Sequence, residues 1–264
     1  MKQNKYIDRD EKVGTQIFDK RSLQVDYRTL EPLLKKGMRI LDVGCGTGAI
    51  SKDMAAIVGD SGSVTGIDNT EKFINSGKNI YQNIENLNLI HADLFDFNTD
   101  EKFDLITSAR TLQWLNNPKE ALLKMKSLLK PGGTISILDY NHEDLEWTPE
   151  PPKSMQTFYK SFLKWKSDAG MNNRIAEDLP ELMQEIGLVA IEKINSDEHY
   201  TRNRVDFESK VGIWSKVADS PQMIAEGYLT DELRLKTIDE YNLWVKNKAV
   251  SMTMKLNEVR GQLD

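Results

Sequence analysis

Three glycines at alternate positions, Gly44, Gly46 and Gly48, follow a short apolar run that carries a single acid, Asp42. The pattern predicts a buried strand, a tight turn and the start of a helix, where backbone approaches a nucleotide closely and presents helix N–H groups to it. Gly44, Gly46 and Ala49 also satisfy the dinucleotide-binding fingerprint of dehydrogenases. Asp42 argues against a dinucleotide, because a carboxylate there would crowd an anionic pyrophosphate, whereas it would suit a cationic amine and ribose hydroxyls. The structural alternative is a plain turn in which Asp42 caps neighbouring backbone.

A second acid, Asp68, ends the next predicted strand, 64–68, and follows Gly48 by 20 residues. In a doubly wound sheet this strand end lies in the crevice beside the first glycine turn, where a carboxylate can accept hydrogen bonds from both ribose hydroxyls. Asp68 is therefore a candidate ribose ligand. The alternative role is the cap of a helix predicted over 71–83.

A third acid, Asp93, ends a strand predicted over 87–93, where the alternative is a simple turn residue. Further strands are predicted over 103–108 and 133–140, and between them Pro118 begins a helix with one apolar stripe. Strands that alternate with helices indicate a parallel sheet.

The character of the chain changes at residue 141. After a stiff loop, 147–152, a helix is predicted with an aromatic stripe, which is more often core than binding surface but would roof the crevice beside the fifth strand. The stripe consists of Met155, Phe158, Tyr159, Phe162 and Leu163. The remaining predicted elements are a helix over 176–187, a sixth strand over 188–194, a largely helical stretch over 205–247 and a seventh strand over 251–259.

The composition is that of a globular chain: of 264 residues, 39% are hydrophobic and 29% charged, which suits one large domain or one domain with a small appendage. A formal net charge of -6 and scattered lysines give no electrostatic footprint for duplex nucleic acid or anionic lipid, so we expect a small-molecule partner. A single cysteine, Cys45, excludes an internal disulfide. The three histidines lie far apart and show no metal-ligand spacing, so we expect no metal.

The N-terminus lacks the apolar core of a signal peptide, and nowhere do about 18 apolar residues run together. We therefore expect a soluble, cytoplasmic protein, either a monomer or a homodimer. Residues 1–20 are polar and mixed in charge, and we interpret them as an arm or short helix over the site. From Ser22, which can cap, a helix is predicted that ends near Gly37.

Taken in order, several segments resemble a class I S-adenosylmethionine-dependent methyltransferase, and the resemblance runs over essentially the whole chain. The segments are 41–48, the strand-end Asp68, the pair Ala92 and Asp93, 103–106 and 128–133. Residues 112–115, with helices on either side of the sixth strand, are similar to the small-molecule branch that includes trans-aconitate methyltransferases.

This resemblance implies an α/β fold, a Rossmann-like, doubly wound sheet of seven strands, mostly parallel with an antiparallel last strand, plus a helical lid. It divides the chain into four parts. These are an N-terminal arm and helix (1–37), a cofactor-binding core (38–140), a lid insertion (141–175) and the C-terminal part of the core (176–264), with a helical insertion at about 205–247.

The resemblance also implies a binding site for S-adenosylmethionine, which becomes S-adenosylhomocysteine after transfer. Asp42 and the glycine turn would hold the methionine portion, Asp68 the ribose hydroxyls, and Asn69 one face of the adenine. Asp93 would accept from the adenine amino group, and the 108–110 stretch would lie near the methionine amine and sulfonium. The predicted cofactor residues are Asp42, Gly44, Cys45, Gly46, Gly48, Asp68, Asn69, Ala92, Asp93, Leu94, Ser108 and Arg110.

Methyl transfer from a sulfonium is an in-line displacement that chiefly needs alignment and exclusion of water, so a general base is optional and no catalytic residue is assigned. His142 is the best-placed titratable group, although we interpret it as an exposed loop histidine. Arg110 or Gln113 could orient an anionic or carbonyl substrate, with Trp114 packed on it or in the core. Arg28, in the first helix, either reaches the cofactor carboxylate or faces solvent.

Two other functions stay open at this point. A nicotinamide-dependent oxidoreductase could use the same glycine turn, but Asp42, Asp93 and the Lys-Pro-Gly-Gly segment at 130–133 count against NAD. A catalytically silent cofactor-binding protein is also compatible, because this chemistry needs no obligatory catalytic residue. Branches that act on nucleic acid are set aside, since 108–111 lacks the Asn-Pro-Pro-aromatic motif and Cys45 is misplaced for a nucleophile. The aromatic lid predicts an acceptor with apolar surface.

Overall fold

The computed structural model describes residues 21–264. Eight strands form one sheet in the order β3-β2-β1-β4-β5-β8-β6, and β7 also pairs with β8. The strands are β1 (Arg39–Val43), β2 (Ser63–Asp68), β3 (Leu87–His91), β4 (Phe103–Ala109), β5 (Leu129–Thr148), β6 (Val189–Asn195), β7 (Glu198–Thr201) and β8 (Ser251–Gln262). The helices are α1 (Leu23–Asp26), α2 (Ala49–Val58), α3 (Glu71–Ile80), α4 (Pro118–Leu128), α5 (Lys153–Asp168), α6 (Ile175–Glu185), α7 (Phe207–Val211), α8 (Ile213–Ala218), α9 (Pro221–Ala225) and α10 (Asp231–Asn247).

The sheet is parallel from β3 to β5, and β8 runs antiparallel to its neighbours β5, β6 and β7. The predicted doubly wound, mostly parallel sheet with an antiparallel last strand is therefore confirmed. The sequence missed β7, which pairs with the first residues of β8 where β6 has ended. Asp197 lies between β6 and β7, and its carboxylate there accepts the amide of Leu256 of β8 at 3.0 Å.

The first half of the sheet forms as the apolar runs predict. In β1, Ile40 and Leu41 are fully buried in two different hydrophobic clusters, which lie on opposite faces because successive strand residues point to opposite sides. Asp42 is the polar exception, and it stands in register with Gly66 of β2 and Thr107 of β4.

The start of the described chain differs from its prediction. Ser22 does cap α1, since its side chain accepts the amide of Val25, but the α-helix lasts only four residues. A 3-10 helix follows over Arg28–Leu33 and contains Pro32. Proline has no N–H to donate to an α-helical turn, which explains why no single helix continues to Gly37. The predicted arm, 1–20, lies outside the described residues.

The fifth strand extends further than predicted. It continues to Thr148, and its distal part pairs Trp147 with Met252 and Thr148 with Ser251 of β8. The register shifts between Asn141 and Glu146. Part of the segment predicted as a stiff loop is thus strand, and β5 and β8 together rise beyond the edge at which β1 and β4 end. The division of the chain into four parts stays a prediction. No helix within 21–264 is long and apolar enough to cross a bilayer.

Candidate active site

The glycine turn between β1 and α2 is shaped by backbone that only glycine adopts easily. Gly44, Gly46 and Gly48 have φ values of 72°, 59° and 81°. A Cβ added to Gly44 would lie 2.3 Å from Thr111 Oγ1, so the turn also needs glycine there for space. The amides of Gly44 and Cys45 donate to the Ile67 carbonyl at 2.8 and 3.0 Å. These two amides are used within the fold and do not face a ligand. The turn instead allows a ligand to approach the backbone closely.

Asp42 lies under this turn with 5% of its surface exposed. Its carboxylate accepts a 2.5 Å hydrogen bond from Ser51 Oγ, in the first turn of α2. Burial raises the pKa of Asp42 to about 6, an effect that the Ser51 hydrogen bond opposes and the charge of Asp68 reinforces. The carboxylate therefore gains stability from any cation brought near it.

Asp68 joins the glycine turn to the start of α3. Its Oδ2 accepts the Gly46 amide and its Oδ1 accepts the Thr70 amide, both at 2.9 Å. The helix cap is Thr70, without a side-chain hydrogen bond, so the predicted alternative of Asp68 as the cap of this helix is wrong. A carboxylate offers about four acceptor positions, so each oxygen keeps a lone pair for a ligand.

The carboxyl end of β3 lies beside that of β2, because the Ala92 amide donates to the Asp68 carbonyl at 3.0 Å. Asp93 is exposed and its Oδ1 accepts the Phe95 amide at 2.8 Å, the local turn that was the alternative role. This turn uses one carboxylate oxygen. Asn69 is exposed at the same edge, whereas Leu94 is buried behind it.

The end of β4 is tied to β1 and then turns sharply. Ser108 is fully buried and its Oγ donates to the Val43 carbonyl at 2.7 Å, so this hydroxyl serves the sheet. Arg110 follows with φ 59°, a left-handed conformation that is strained for a residue with a side chain. Such strain clusters at functional sites.

The Arg110 guanidinium is buried, with 6% of the residue exposed. Its Nε donates to Tyr140 Oη at 2.8 Å and its Nη2 to Glu198 Oε1 at 2.6 Å. Nη1 is buried and has no hydrogen-bond partner among residues 21–264. Such a group carries a free-energy cost that an anionic ligand would remove.

Other charges surround this guanidinium. Burial, and then the positive charge of Arg110, lower the pKa of Arg21, which shows that two guanidinium groups are close. Although burial alone would raise it, the charge of Arg110 and the hydrogen bonds from Tyr200 and Arg110 lower the pKa of Glu198. Glu198 was missed from sequence because it lies on the unpredicted β7. Arg28, by contrast, is exposed.

His142 is not the exposed loop residue that the sequence suggested. It lies in β5 with 4% of its surface exposed, and its amide donates to the Asn173 carbonyl at 2.7 Å. The prediction is wrong because β5 continues past Tyr140. Burial and the positive charge of Lys166 lower the pKa of His142 well below its usual value, so the ring is neutral at pH 7.

Gln113 connects this histidine to a buried lysine. Its Oε1 faces His142 Nε2 at 2.6 Å and Lys166 Nζ at 3.1 Å, and its Nε2 donates to the Arg110 carbonyl at 3.3 Å. Both polar atoms of the side-chain amide are thus hydrogen-bonded, whereas Arg110, the other residue suggested to orient a substrate, has an atom without a partner among residues 21–264. Below them, Asp139 accepts the Gln113 and Tyr140 amides at 3.1 and 2.9 Å.

Lys166 is fully buried on α5 and was missed from sequence. Its Nζ lies 4.6 Å from the ring centroid of the half-buried Trp114 and 5.6 Å from that of Phe162. Lys166 follows Phe162 by four residues, which places it on the aromatic stripe. A lysine in register with that stripe was the signal available in the sequence.

Aromatic rings close the space beneath α5. The stripe residues Met155, Phe158, Tyr159 and Phe162 are buried, which confirms their core character, while Leu163 is only half-buried. The ring of His142 has three aromatic neighbours, with centroid distances of 5.1, 5.9 and 6.0 Å to Tyr140, Phe162 and Trp214. A separate surface pocket, lined in part by Lys102 and Lys124, lies at the amino ends of β4 and β5, on the opposite edge.

The strand order and the antiparallel last strand are those of a Rossmann-like methyltransferase fold. A family model described as a methyltransferase domain matches residues 34–207. The chain therefore belongs to this methyltransferase-domain family.

Relatives and solved structures agree with this assignment. A demethylmenaquinone methyltransferase of Staphylococcus aureus is 36% identical over 113 residues, which are 42% of this chain and 47% of the relative, so the match spans about half the relative's length. A SAM dependent methyltransferase from Aquifex aeolicus superposes with a TM-score of 0.56 at 16% identity, over 96% of this chain and 99% of its own. A phosphoethanolamine N-methyltransferase 2 from Haemonchus contortus, bound to S-adenosylhomocysteine, gives 0.57 at 15% identity, over 89% and 52%.

The predicted class I S-adenosylmethionine-dependent methyltransferase is thus confirmed, with S-adenosylmethionine as the cofactor that goes with the family. The narrower resemblance to trans-aconitate methyltransferases is not confirmed. The roles of the twelve predicted cofactor residues stay predictions.

Proposed function

We propose that this chain transfers the methyl group of S-adenosylmethionine to a small-molecule acceptor at the carboxyl edge of β1, β2 and β4. One observation carries the proposal: two buried carboxylates, Asp42 and Asp68, share this edge with the buried Nη1 of Arg110, which has no hydrogen-bond partner among residues 21–264. The cofactor joins an ammonium, two ribose hydroxyls and a carboxylate. Carboxylates complement the first two and a guanidinium complements the third.

We assign the methionine end accordingly. Asp42 accepts from the ammonium, and the strained turn at Arg110 directs Nη1 to the carboxylate. The side chain of Arg110 does not serve the amine or the sulfonium, because like charges repel. Gly44, Cys45, Gly46 and Gly48 form the turn against which the methionine portion lies, and Ser108 holds the β4 end against β1.

The nucleoside end lies at β2 and β3. Asp68 binds the ribose hydroxyls through the lone pairs that Gly46 and Thr70 leave available. Asn69 covers one adenine face, and Asp93 accepts from the amino group through the oxygen that its turn does not use. The Leu94 backbone, two residues after Ala92, meets the ring edge. The acidic switch point also disfavours NAD, whose pyrophosphate would lie against Asp42.

The contribution of the protein to rate is mainly orientation, which can supply roughly 7–11 kcal/mol when reactants are held in line. The bound cofactor supplies an activated methyl group, and the chain holds it against rigid strand ends and keeps water out. The aromatic rings beneath α5 suit an acceptor with an apolar ring. The quinone-type acceptor in the name of the Staphylococcus aureus relative supports this class.

Calorimetric titration with S-adenosylmethionine, S-adenosylhomocysteine and NADH tests the proposal. We expect micromolar binding of the first two to the wild type and a loss of at least about tenfold in Asp68→Ala, since two hydrogen bonds to a charged group disappear. Asp60→Ala is the matched control, because Asp60 is an exposed acid in the loop before β2. Binding of NADH, or equal losses in both variants, would contradict the proposal.

A further inference from the structure

The tautomer of His142 follows from its neighbours. The ammonium of Lys166 can only donate, so the Gln113 side-chain atom that it contacts is the oxygen. His142 Nε2 faces the same oxygen at 2.6 Å and therefore carries the proton that it donates. In a neutral imidazole the other nitrogen, Nδ1, is then an acceptor with a lone pair.

That lone pair is buried. His142 Nδ1 has no hydrogen-bond partner among the described residues, 21–264. The indole Nε1 of Trp214, whose ring centroid is 6.0 Å from that of His142, likewise has none in this part of the chain. Nδ1 of His142 is an acceptor and Nε1 of Trp214 is a donor, and the two rings are adjacent. A hydroxyl group, which donates once and accepts twice, is the smallest group that complements both.

The position of His142 shows where these two ring nitrogens lie relative to the carboxyl edge of β1, β2 and β4. Leu138 of β5 stands in register with Ala109 at the end of β4, so His142 lies four residues further along a strand that rises beyond the edge. Tyr140 connects the two regions, since its hydroxyl accepts from Arg110 and its ring lies 5.1 Å from the His142 ring.

We propose that the acceptor is a hydroxyl-bearing aromatic compound of the phenol class and that His142 Nδ1 is the catalytic group that receives its proton. The acceptor oxygen forms a bond to the methyl carbon, and the carbon–sulfur bond breaks with its electron pair remaining on sulfur. The hydroxyl proton passes to Nδ1, and the resulting imidazolium releases it to solvent when the methyl ether leaves. This inference rests on the proposed function.

The buried imidazole is suited to this task although it is a weak base. The acceptor oxygen becomes strongly acidic as its bond to the methyl group forms, so a late proton transfer needs only a neutral imidazole in place. Burial and, as the smaller cause, the positive charge of Lys166 keep the ring neutral, and the buried carboxylate of Asp139 is close enough to Lys166 for their charges to interact. Gln113 acts as a positioning residue that fixes the tautomer.

The test uses 1-naphthol and its matched methyl ether, 1-methoxynaphthalene, as probes of the S-adenosylhomocysteine-saturated enzyme. The two differ only in the hydroxyl proton and a methyl group. We expect 1-naphthol to bind about tenfold more tightly, and to shift the Nδ1 resonance of His142 in nitrogen-15 spectra of histidine-labelled protein. His199→Gln is the control variant, because the His199 ring already bonds Thr253 at 2.9 Å.

With S-adenosylmethionine, the wild type and His199→Gln methylate 1-naphthol, and His142→Gln does so roughly 100-fold more slowly. Added imidazole restores part of the rate in His142→Ala, which a purely structural role would not explain. Equal binding of the two naphthalenes, an unmoved Nδ1 resonance, or absence of methyl transfer to 1-naphthol overturns the inference. The saturating S-adenosylhomocysteine separates these failures from failure of the proposed function, which would appear as no cofactor binding.

Discussion

The carboxylate of Asp68 accepts the amide of Gly46 at 2.9 Å, so the acid that ends β2 holds the second glycine of the turn that follows β1. The two sequence features proposed to bind the cofactor are therefore one hydrogen-bonded unit. A change in either residue will alter the shape of the other's site as well as its own contact.

The glycine turn is predicted to tolerate no side chain at Gly44. Gly44→Ala combines a left-handed conformation with a contact of 2.3 Å to Thr111 Oγ1, whereas Gly132, with φ 74°, has open space around its Cβ position. Gly132→Ala should therefore lose about 1–2 kcal/mol of unfolding free energy from strain alone. Gly44→Ala should lose about 1–3 kcal/mol more, and urea unfolding of both variants measures the difference. Similar losses of unfolding free energy in the two variants would show that the Thr111 side chain moves aside without cost.

Asp42 is predicted to make the apoprotein less stable as pH rises through 6. Its pKa of about 6 in the folded state lies above the value of about 3.9 for an unfolded aspartate, so folding favours the protonated form. The unfolding free energy of the wild type, relative to Asp42→Asn, should fall by about 2–3 kcal/mol between pH 4 and pH 7. Asp139 contributes equally to both proteins, so the comparison isolates Asp42. A difference that is constant with pH would contradict the raised pKa.

Asp42 is also predicted to make cofactor affinity increase as pH rises, whereas it makes the unfolding free energy of the apoprotein decrease. Below pH 6 the protonated Asp42 no longer attracts the ammonium, so the Kd for S-adenosylhomocysteine should rise up to tenfold per pH unit as pH falls, within the limit set by this single proton. Titration calorimetry at pH 5, 6 and 7.5 measures this. Asp42→Asn should bind more weakly at pH 7.5 and show little change with pH. An equally steep dependence in the variant would assign the proton to another group.

Arg110 is predicted to recognise the carboxylate of the cofactor through Nη1. Arg110→Lys keeps a cation for Glu198 but loses the planar fork, so affinity for S-adenosylmethionine should fall by about tenfold or more. Decarboxylated S-adenosylmethionine lacks the group concerned, and its affinity should be nearly the same in both proteins. Arg28→Lys is the exposed control. Equal losses for the two ligands would show that Nη1 serves something else.

The positive charge of Lys166 is predicted to cause part of the lowering of the His142 pKa. In Lys166→Met the ring loses the repulsion of a cation but stays buried, so the pKa of His142 should rise and still remain below its ordinary value, because burial is the larger cause. Proton and nitrogen-15 titrations of labelled histidine measure this, with His91, which is exposed, as internal reference. An unchanged pKa would exclude Lys166 as a cause.

Local signals predicted the first half of the chain well. The strand containing Asp42, the glycine turn and the strand-end Asp68 follow from apolar runs and φ preferences that act over a few residues. The extent of β5 does not follow from such local signals, because its distal part is strand only by pairing with β8, more than 100 residues later in sequence. The burial of His142 and the role of Glu198 both depend on that long-range pairing, and a single sequence does not encode it in any local pattern.

A crystal structure of the complex with S-adenosylhomocysteine tests the central claim most directly. We predict that both ribose hydroxyls lie within about 3.2 Å of the Asp68 carboxylate and that the ligand carboxylate bonds Arg110 Nη1. A ribose bound elsewhere, or a ligand carboxylate turned away from Arg110, would contradict the account.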